Sequence, residues 1–382
     1  MTLDCTFVGA ATLGSDGWSE APLSVQGGLV TDVAAPREVD LSGYWILPGI
    51  VDPHGDGFER HMAPRRGALR EAEHGVIATA SELAANGITT AVLAQFFSWE
   101  GGMRGPDFAE HVFGHVSEIR TTLPIDLRVQ LRLETHLVDA FGRAEAAIDR
   151  FGIDYVVFND HLPHQRLSEG RKPPRLTGQA LKSGRSPEAH LALMQDLHAR
   201  SAEVPAALDA LCARLAARGV VIGSHDDRRQ EDRALWAGRG AWVSEFPETL
   251  EAATAARADG AHIVLGAPNV VRGASHAGNI AAADLVAAGL CDALASDYHY
   301  PSPLRAAFRL AELGLCDVAT AWRLVSSGPA ALLDLTDRGT LVPGNRADLI
   351  VLEPDSRRVV ATIAGGTVAH LTGPVAERFL RD

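Results

Sequence analysis

The sequence predicts a (β/α)8 barrel carrying a small β-sandwich built from both termini. Three observations point there. Apolar strand-like runs alternate with helical runs through the middle of the chain, the pattern of a parallel barrel. Both ends read instead as short strands broken by Gly and Pro. Finally, several of the middle strands run out into His, Asp or Glu.

At the N-terminal end the expected strands are 6–11, 23–25 and 28–33, and at the C-terminal end 348–352, 359–363 and 367–370. Residues 1–48 and 339–382 are accordingly expected to form the discontinuous sandwich domain, since termini often lie together. Residues 49–338 are expected to form the barrel, with a polar insertion at about 162–204. The barrel strands read as 44–52, 88–94, 127–134, 155–159, 220–224, 242–246, 262–266 and 293–296. Between them fall helices at 76–86, 107–122, 143–150, 205–218, 249–258 and 279–288, two of them ended by Gly87 and Gly219. A doubly wound open sheet would want a G-x-G-x-x-G turn after its first strand, and none is present. Trp242 and Trp322 read as core residues, and His111 and His115, at i, i+4 within a helix, as surface or packing residues.

The chain has 382 residues, a formal net charge of −13 and four widely spaced cysteines without a C-x-x-C pair. The charge argues against nucleic-acid binding, although basic residues gathered locally can still receive a small anion. No apolar run approaches the ~20 residues of a membrane helix, and no secretory leader is apparent. With reduced thiols, this makes a cytoplasmic protein without membrane association the expectation.

The chemistry starts at Ile46-Leu47-Pro48-Gly49-Ile50-Val51-Asp52-Pro53-His54-Gly55-Asp56. On an extended strand residues i and i+2 face the same way, so His54 and Asp56 can grip one cation. Alone, an H-x-D triplet is more often a surface turn. Four later strand ends change the balance: Glu134-Thr135-His136, Asp160-His161, His225-Asp226-Asp227 and Ser296-Asp297-Tyr298-His299. Histidines and carboxylates converging on a barrel mouth make a cage for divalent cations, with Glu134 able to bridge two of them. Two such ions lower the pKa of a bound water, and Asp297 is the expected acceptor of its proton. His136 and His299 are expected to support ligands or touch substrate, and Asp226 and Asp227 to orient ligands or meet a polyphosphate complex.

The run Gly266-Ala267-Pro268-Asn269-Val270-Val271-Arg272-Gly273-Ala274-Ser275-His276-Ala277-Gly278-Asn279 reads as an anion site. Asn269, Arg272, Ser275 and His276 supply donors, the glycines admit close backbone approach, and a helix is expected to start at Asn279. A turn whose Arg pairs with a neighbouring carboxylate is the plainer reading. Arg166, Arg171, Lys172, Arg175 and Lys182 in the insertion fit either a clamp for polyphosphate or a solvated loop.

The opening Leu-Pro-Gly-Ile-Val-Asp-x-His, the Ser-His and Ser-Asp strand ends and the closing Gly339-Thr340-Leu341-Val342-Pro343-Gly344-Asn345-Arg346-Ala347-Asp348-Leu349 resemble the amidohydrolase superfamily. The resemblance implies a metal-dependent hydrolase whose ligands are His54 and Asp56 (for the commoner H-x-H), Glu134 (for a carboxylated Lys), His161, His225 and Asp297. Ser224-His225-Asp226-Asp227, Glu245-Phe246-Pro247, the Gly266–Asn279 run and Ser296-Asp297-Tyr298 more narrowly resemble the PhnM family of phosphonate metabolism. That likeness implies hydroxide attack on the α-phosphorus of α-D-ribose 1-methylphosphonate 5-triphosphate or a related phosphorylated sugar, releasing pyrophosphate. Also implied are two divalent ions (Zn first, Mn or Fe as alternatives), a small anionic substrate and a functional link to carbon–phosphorus lyase components. A homo-oligomer is compatible with the sequence. The loop 57–67 departs from that family and keeps only Pro64-Arg65, so Arg65 is the one substrate contact expected there. Two other readings stand beside this one: hydrolysis of a cyclic amide or imide C–N bond, and an inactive barrel serving as an interaction protein.

Overall fold

The computed structural model describes residues 2–64, 72–273 and 279–381. Eight strands lie in one sheet in chain order: β1 (Ile50–Gly55), β2 (Ile88–Phe97), β3 (Asp126–Glu134), β4 (Tyr155–Asn159), β5 (Val221–His225), β6 (Val243–Glu245), β7 (His262–Gly266) and β8 (Ala293–Ala295). β1 pairs in parallel with β2, β3 with β4, β4 with β5, β5 with β6, and β7 with β8. A parallel bridge from Gly55 to Asp297 brings the first and last strands together and closes the (β/α)8 barrel. Every residue of β2 is buried, as expected of a strand covered on both faces.

Two further sheets come from the chain ends. One orders Leu29–Thr31, Leu23–Gln26, Cys5–Val8 and Glu38–Asp40; the other orders Thr367–Leu371, Val359–Ala364, Leu349–Leu352, Trp45–Pro48, Ala11–Gly14 and Gly17–Ser19. Their inner faces share one core that includes Phe7, Val25, Val39, Ile46, Val351 and Ile363. Fully burying a side chain of this kind contributes about 1.5–3 kcal/mol. No helix among the described residues is long and apolar enough to cross a membrane.

Several expected elements are corrected. The strand expected over 6–11 breaks at Gly9, whose φ of +76° no strand residue adopts, so its halves enter different sheets. The apolar stretch 44–52 likewise divides. Trp45–Pro48 joins the terminal sheet and Ile50–Gly55 begins the barrel, while Gly49 between them packs against Thr89, where an added Cβ would lie 2.4 Å from Oγ1. Trp322 is buried and donates through Nε1 to the Pro48 carbonyl, 3.0 Å away, at this same junction. Trp242 is 51% exposed, because β6 begins one residue later and leaves it on the approach to the strand.

In place of one helix over 279–288 the chain forms Ala267–Arg272 directly after β7 and then Ala282–Ala287. The polar insertion is not a loop. It folds into helices His164–Ser168, Leu176–Ser183 and Pro187–Ala199, which bury Leu167, Leu176, Met194 and Leu197 with Trp99 and Leu162.

Gly49→Ala is expected to destabilise the protein by about 1–3 kcal/mol, the usual range for overpacking. Thr89→Ala in the same chain removes two of the three clashing atoms and recovers part of the loss. Denaturant titration of the two single variants and the double variant measures the coupling; independent, additive effects would contradict the packing described.

Candidate metal centre

By its contacts the chain divides into two compact units: Met1–Leu93, Ile119–Arg128 and His262–Asp382 in the first, Ala94–Glu118 and Val129–Ala261 in the second. Each carries part of the expected ligand set.

In the first unit, His54 is fully buried near the end of β1, while Asp56 and Asp297 are partly exposed. Asp297 is clamped to this strand end by its backbone. Its N–H donates to the His54 carbonyl (3.0 Å), and its own carbonyl accepts from Asp56 N–H (2.8 Å) and Gly57 N–H (3.3 Å). A φ of +55° makes Asp297 left-handed, a conformation costly for a residue with a Cβ and held here by these three bonds. Beneath them Asp52 accepts from Ser296 N–H (2.8 Å) and Oγ–H (2.6 Å). Burial pushes the Asp52 carboxyl up to about 6 even so. Thus His54, Asp56 and Asp297 are tied into one turn of backbone, with Asp52 as its buried support.

In the second unit the fully buried Glu134 accepts from Trp99 Nε1–H (3.2 Å) and from His161 N–H (3.2 Å), and its Oε1 meets His161 Nδ1 at very short range. Glu100 lies 3.9 Å from the same imidazole nitrogen. Burial works against a charged His161, but the Glu134 carboxylate overcomes it and holds the imidazole above its ordinary value. His225 lies between Asp226, 3.1 Å from its Nδ1, and Arg132, whose Nη2 donates to its Nε2 (3.0 Å). Burial lowers the His225 pKa against the pull of Asp226, with Arg132 pushing the same way as burial. A neutral His225 thus accepts the Arg132 N–H at Nε2 and carries its proton on Nδ1, toward Asp226. Buried Glu134 and the half-buried His161 and Glu100 form the mixed N/O donor set that divalent ions prefer, so the residues present fit a metal.

The other expected contacts fall differently. Asp227 is buried, accepting from Ser224 Oγ (2.5 Å) and Ser244 Oγ (3.2 Å) with Arg233 at 3.7 Å. Asn269 is partly spent as well, its Oδ1 accepting from Ala282 N–H (3.0 Å) where the next helix starts. Arg272 ends the helix Ala267–Arg272 and is exposed. Lys172 is exposed on the insertion. His299 contacts Ser302 Oγ at 2.7 Å. Arg65, Ser275 and His276 lie outside the described residues.

Strand-end position does not single out Arg132, Trp99 or Glu100, which stand among these groups, whereas Glu245 does end β6. A signal for Arg132 is nevertheless present: Gln130, Arg132 and Glu134 alternate with Val129, Leu131 and Leu133, so one face of β3 is polar at every second position. That face carries a ladder of contacts. Gln130 Nε2 donates to Glu245 Oε1 (2.7 Å), which also accepts from Tyr155 OH (2.6 Å). Above it Arg132 donates to Asn159 Oδ1 (3.3 Å) and stacks on Phe96, 4.0 Å from the ring centroid, and Glu134 ends the row.

Residues 251–370 match the model of the amidohydrolase family. Among solved structures the fold is similar to that of molinate hydrolase (TM-score 0.65, 13% identity, covering 100% of this chain and 97% of that one). It is similar also to dihydropyrimidinase from Brevibacillus agri NCHU1002 (TM-score 0.58, 12% identity, 97% and 95% covered). N-acetylglucosamine-6-phosphate deacetylase from Thermotoga maritima gives a TM-score of 0.59 at 13% identity, with 96% and 100% covered. In sequence the chain is 32% identical over 324 residues to the alpha-D-ribose 1-methylphosphonate 5-triphosphate diphosphatase of Escherichia coli (strain K12), spanning 83% of this chain and 85% of that protein. Identity of that extent is the mark of common descent, and the chain belongs to the amidohydrolase superfamily of hydrolases.

Proposed function

We propose that this protein hydrolyses α-D-ribose 1-methylphosphonate 5-triphosphate, or a closely related phosphorylated sugar, to the 5-phosphate and pyrophosphate. The observation that carries the proposal is the 32% identity, over 83% of the chain, to an enzyme named for that reaction. The donor chemistry at the strand ends supports it.

His54, Asp56, Glu134, His161, His225 and Asp297 are the residues proposed to hold two divalent ions, zinc first among the candidates. When bound, such ions lower the pKa of a water and neutralise charge on phosphoryl oxygens. In the reaction a water oxygen bonds to the α-phosphorus, and the bond from that phosphorus to the α–β bridging oxygen breaks. Pyrophosphate leaves carrying that oxygen. Asp297 takes the water's proton at a carboxylate oxygen. Its backbone clamp to His54, Asp56 and Gly57 supports this role, because a proton acceptor must be held to within a fraction of an ångström. Trp99 fixes one oxygen of Glu134 and leaves the other to His161. Arg132, buried against Phe96, brings positive charge among these groups and orients His225. Arg272, together with Asn269, Ser275, His276, Arg65 and Lys172, is proposed to meet the outlying phosphates.

Purified protein supplied with Zn or Mn is expected to release pyrophosphate from the triphosphate, and a chelator to stop the release. Glu134→Gln should lower kcat/KM on the order of 10²–10³-fold, as losses of electrostatic stabilisation do, and Asp297→Asn about 10²–10⁴-fold, as losses of a general base do. Hydrolysis of a hydantoin or dihydropyrimidine without any pyrophosphate release from the triphosphate would overturn the proposal.

Arg272→Ala separates binding from chemistry. Loss of one charge-assisted contact worth about 1.5–3 kcal/mol corresponds to a rise of roughly 10–150-fold in KM at little change in kcat. Unchanged KM for the triphosphate would remove Arg272 from the binding surface.

A further inference from the structure

The second unit gathers another set of imidazoles apart from the six proposed ligands. His136 follows the end of β3, Asp160 follows β4, and the insertion helices bring His164 and His198. Asp160 Oδ1 lies 3.5 Å from His136 Nδ1, and the Asp160 carboxylate lies 3.0 and 3.2 Å from His164 Nε2. One ligand atom from each of His136, Asp160 and His164 falls within 4.8 Å of the other two. A tetrahedral zinc site with bonds of about 2.0–2.1 Å places its donors about 3.3–3.5 Å apart, so these residues stand near ligand spacing.

The outer faces of both rings decide where their lone pairs point. Ser201 Oγ donates its proton to the His198 carbonyl (2.6 Å), which leaves its oxygen to accept from His136 Nε2–H (3.2 Å). His136 is thereby left with a lone pair on Nδ1, the nitrogen that faces Asp160; Thr135 Oγ1, 3.1 Å from that nitrogen, is a hydroxyl free to rotate. His164 Nδ1 meets His198 Nδ1 at 2.7 Å, a separation that requires a proton between them. With that proton on His164, its Nε2 lone pair faces the carboxylate. A cation would meet both imidazole lone pairs and the Asp160 carboxylate together; without one, a proton on His164 Nε2 joins that ring to Asp160. The back-side bonds to Ser201 and His198 are the partners that metal-bound histidines characteristically keep.

We propose that His136, Asp160 and His164 form a second, auxiliary site for a divalent cation of the zinc class, completed by water. It joins the ends of β3 and β4 to the insertion helices. Glu134 stands two residues before His136 and His161 directly follows Asp160, so the cation would set the position of the insertion beside the strand ends that carry them.

The test is metal stoichiometry on the full-length protein, stripped with chelator, reloaded with Zn alone and dialysed. The same samples are then titrated with Co(II), whose d–d absorption reports tetrahedral coordination. The wild type is expected to retain one equivalent more than His164→Ala or Asp160→Asn, and that equivalent's cobalt band is expected to be missing from both variants. His198→Leu keeps every ligand and is expected to bind the same number of ions, the weakest about 10–100-fold less tightly. It serves as the informative variant if the ligand substitutions unfold, as judged by circular dichroism. Glu134→Gln is expected to retain the auxiliary equivalent, which separates failure here from failure of the proposed catalytic centre. Wild-type stoichiometry and cobalt spectrum in His164→Ala and Asp160→Asn, or unchanged affinity in His198→Leu, would overturn the proposal and identify the cluster as a protonated His164–Asp160 ion pair.

Discussion

A guanidinium buried on a barrel strand is costly unless every direction around it is answered, and Arg132 constrains the second unit in this way. It is 4% exposed. The Phe96 ring covers one face, while Asn159 and His225 take its N–H groups. Those residues come from the flanking strands β2 and β4 and from β5 beyond, so satisfying one cation fixes the rotation of three side chains. Glu134, two residues further along β3, inherits the order, and so does the His161 that packs against it. Removal of the guanidinium would leave Asp226, which burial would raise but His225 and Arg132 hold at about 2, without one of the charges that keep it ionised.

Much of this is legible in the amino-acid pattern. Glu134, His161, His225 and Asp297 stand at the ends of apolar runs, where a barrel places its chemistry, and the polar stripe Gln130, Arg132, Glu134 is visible as an alternation. Less legible are features settled by distant partners. The chain from Tyr44 to Val51 is almost wholly apolar, so hydrophobicity cannot disclose that it changes sheets at Gly49; the packing of Thr89 against that residue does. Asp227 follows His225 and Asp226 in a run that looks uniformly functional, yet Ser224, Ser244 and Arg233 draw it inward. Similarly, the insertion reads as polar and basic, while its few apolar residues recur at helical spacing and bury against Trp99 and Leu162. The glycine-containing run after β7 has the composition of an open anion loop, but its first six residues following Gly266 are helical.

In the proposed reaction, specificity and catalysis would be carried by different parts of the chain. The strand ends supply donors that many hydrolases of this superfamily could use, whatever bond they break. What would distinguish a triphosphate is positive charge further out, and in a chain with a net charge of −13 such charge must be gathered locally. Arg272 and Lys172, the basic residues proposed for that task, are both exposed. Lys172 itself lies in the irregular connection between the insertion helices His164–Ser168 and Leu176–Ser183, whose apolar residues pack into one layer.

The backbone clamp on Asp297 has a consequence for how the barrel comes together. Its amide and carbonyl are the groups that join the last strand end to the first, at His54, Asp56 and Gly57. A slip of one residue in that pairing would carry the carboxylate about 3.3 Å along the strand and turn it to the opposite face. Ring closure and the positioning of the Asp297 carboxylate are therefore one event, and a barrel closed in the wrong register would be a folded protein with that carboxylate facing away.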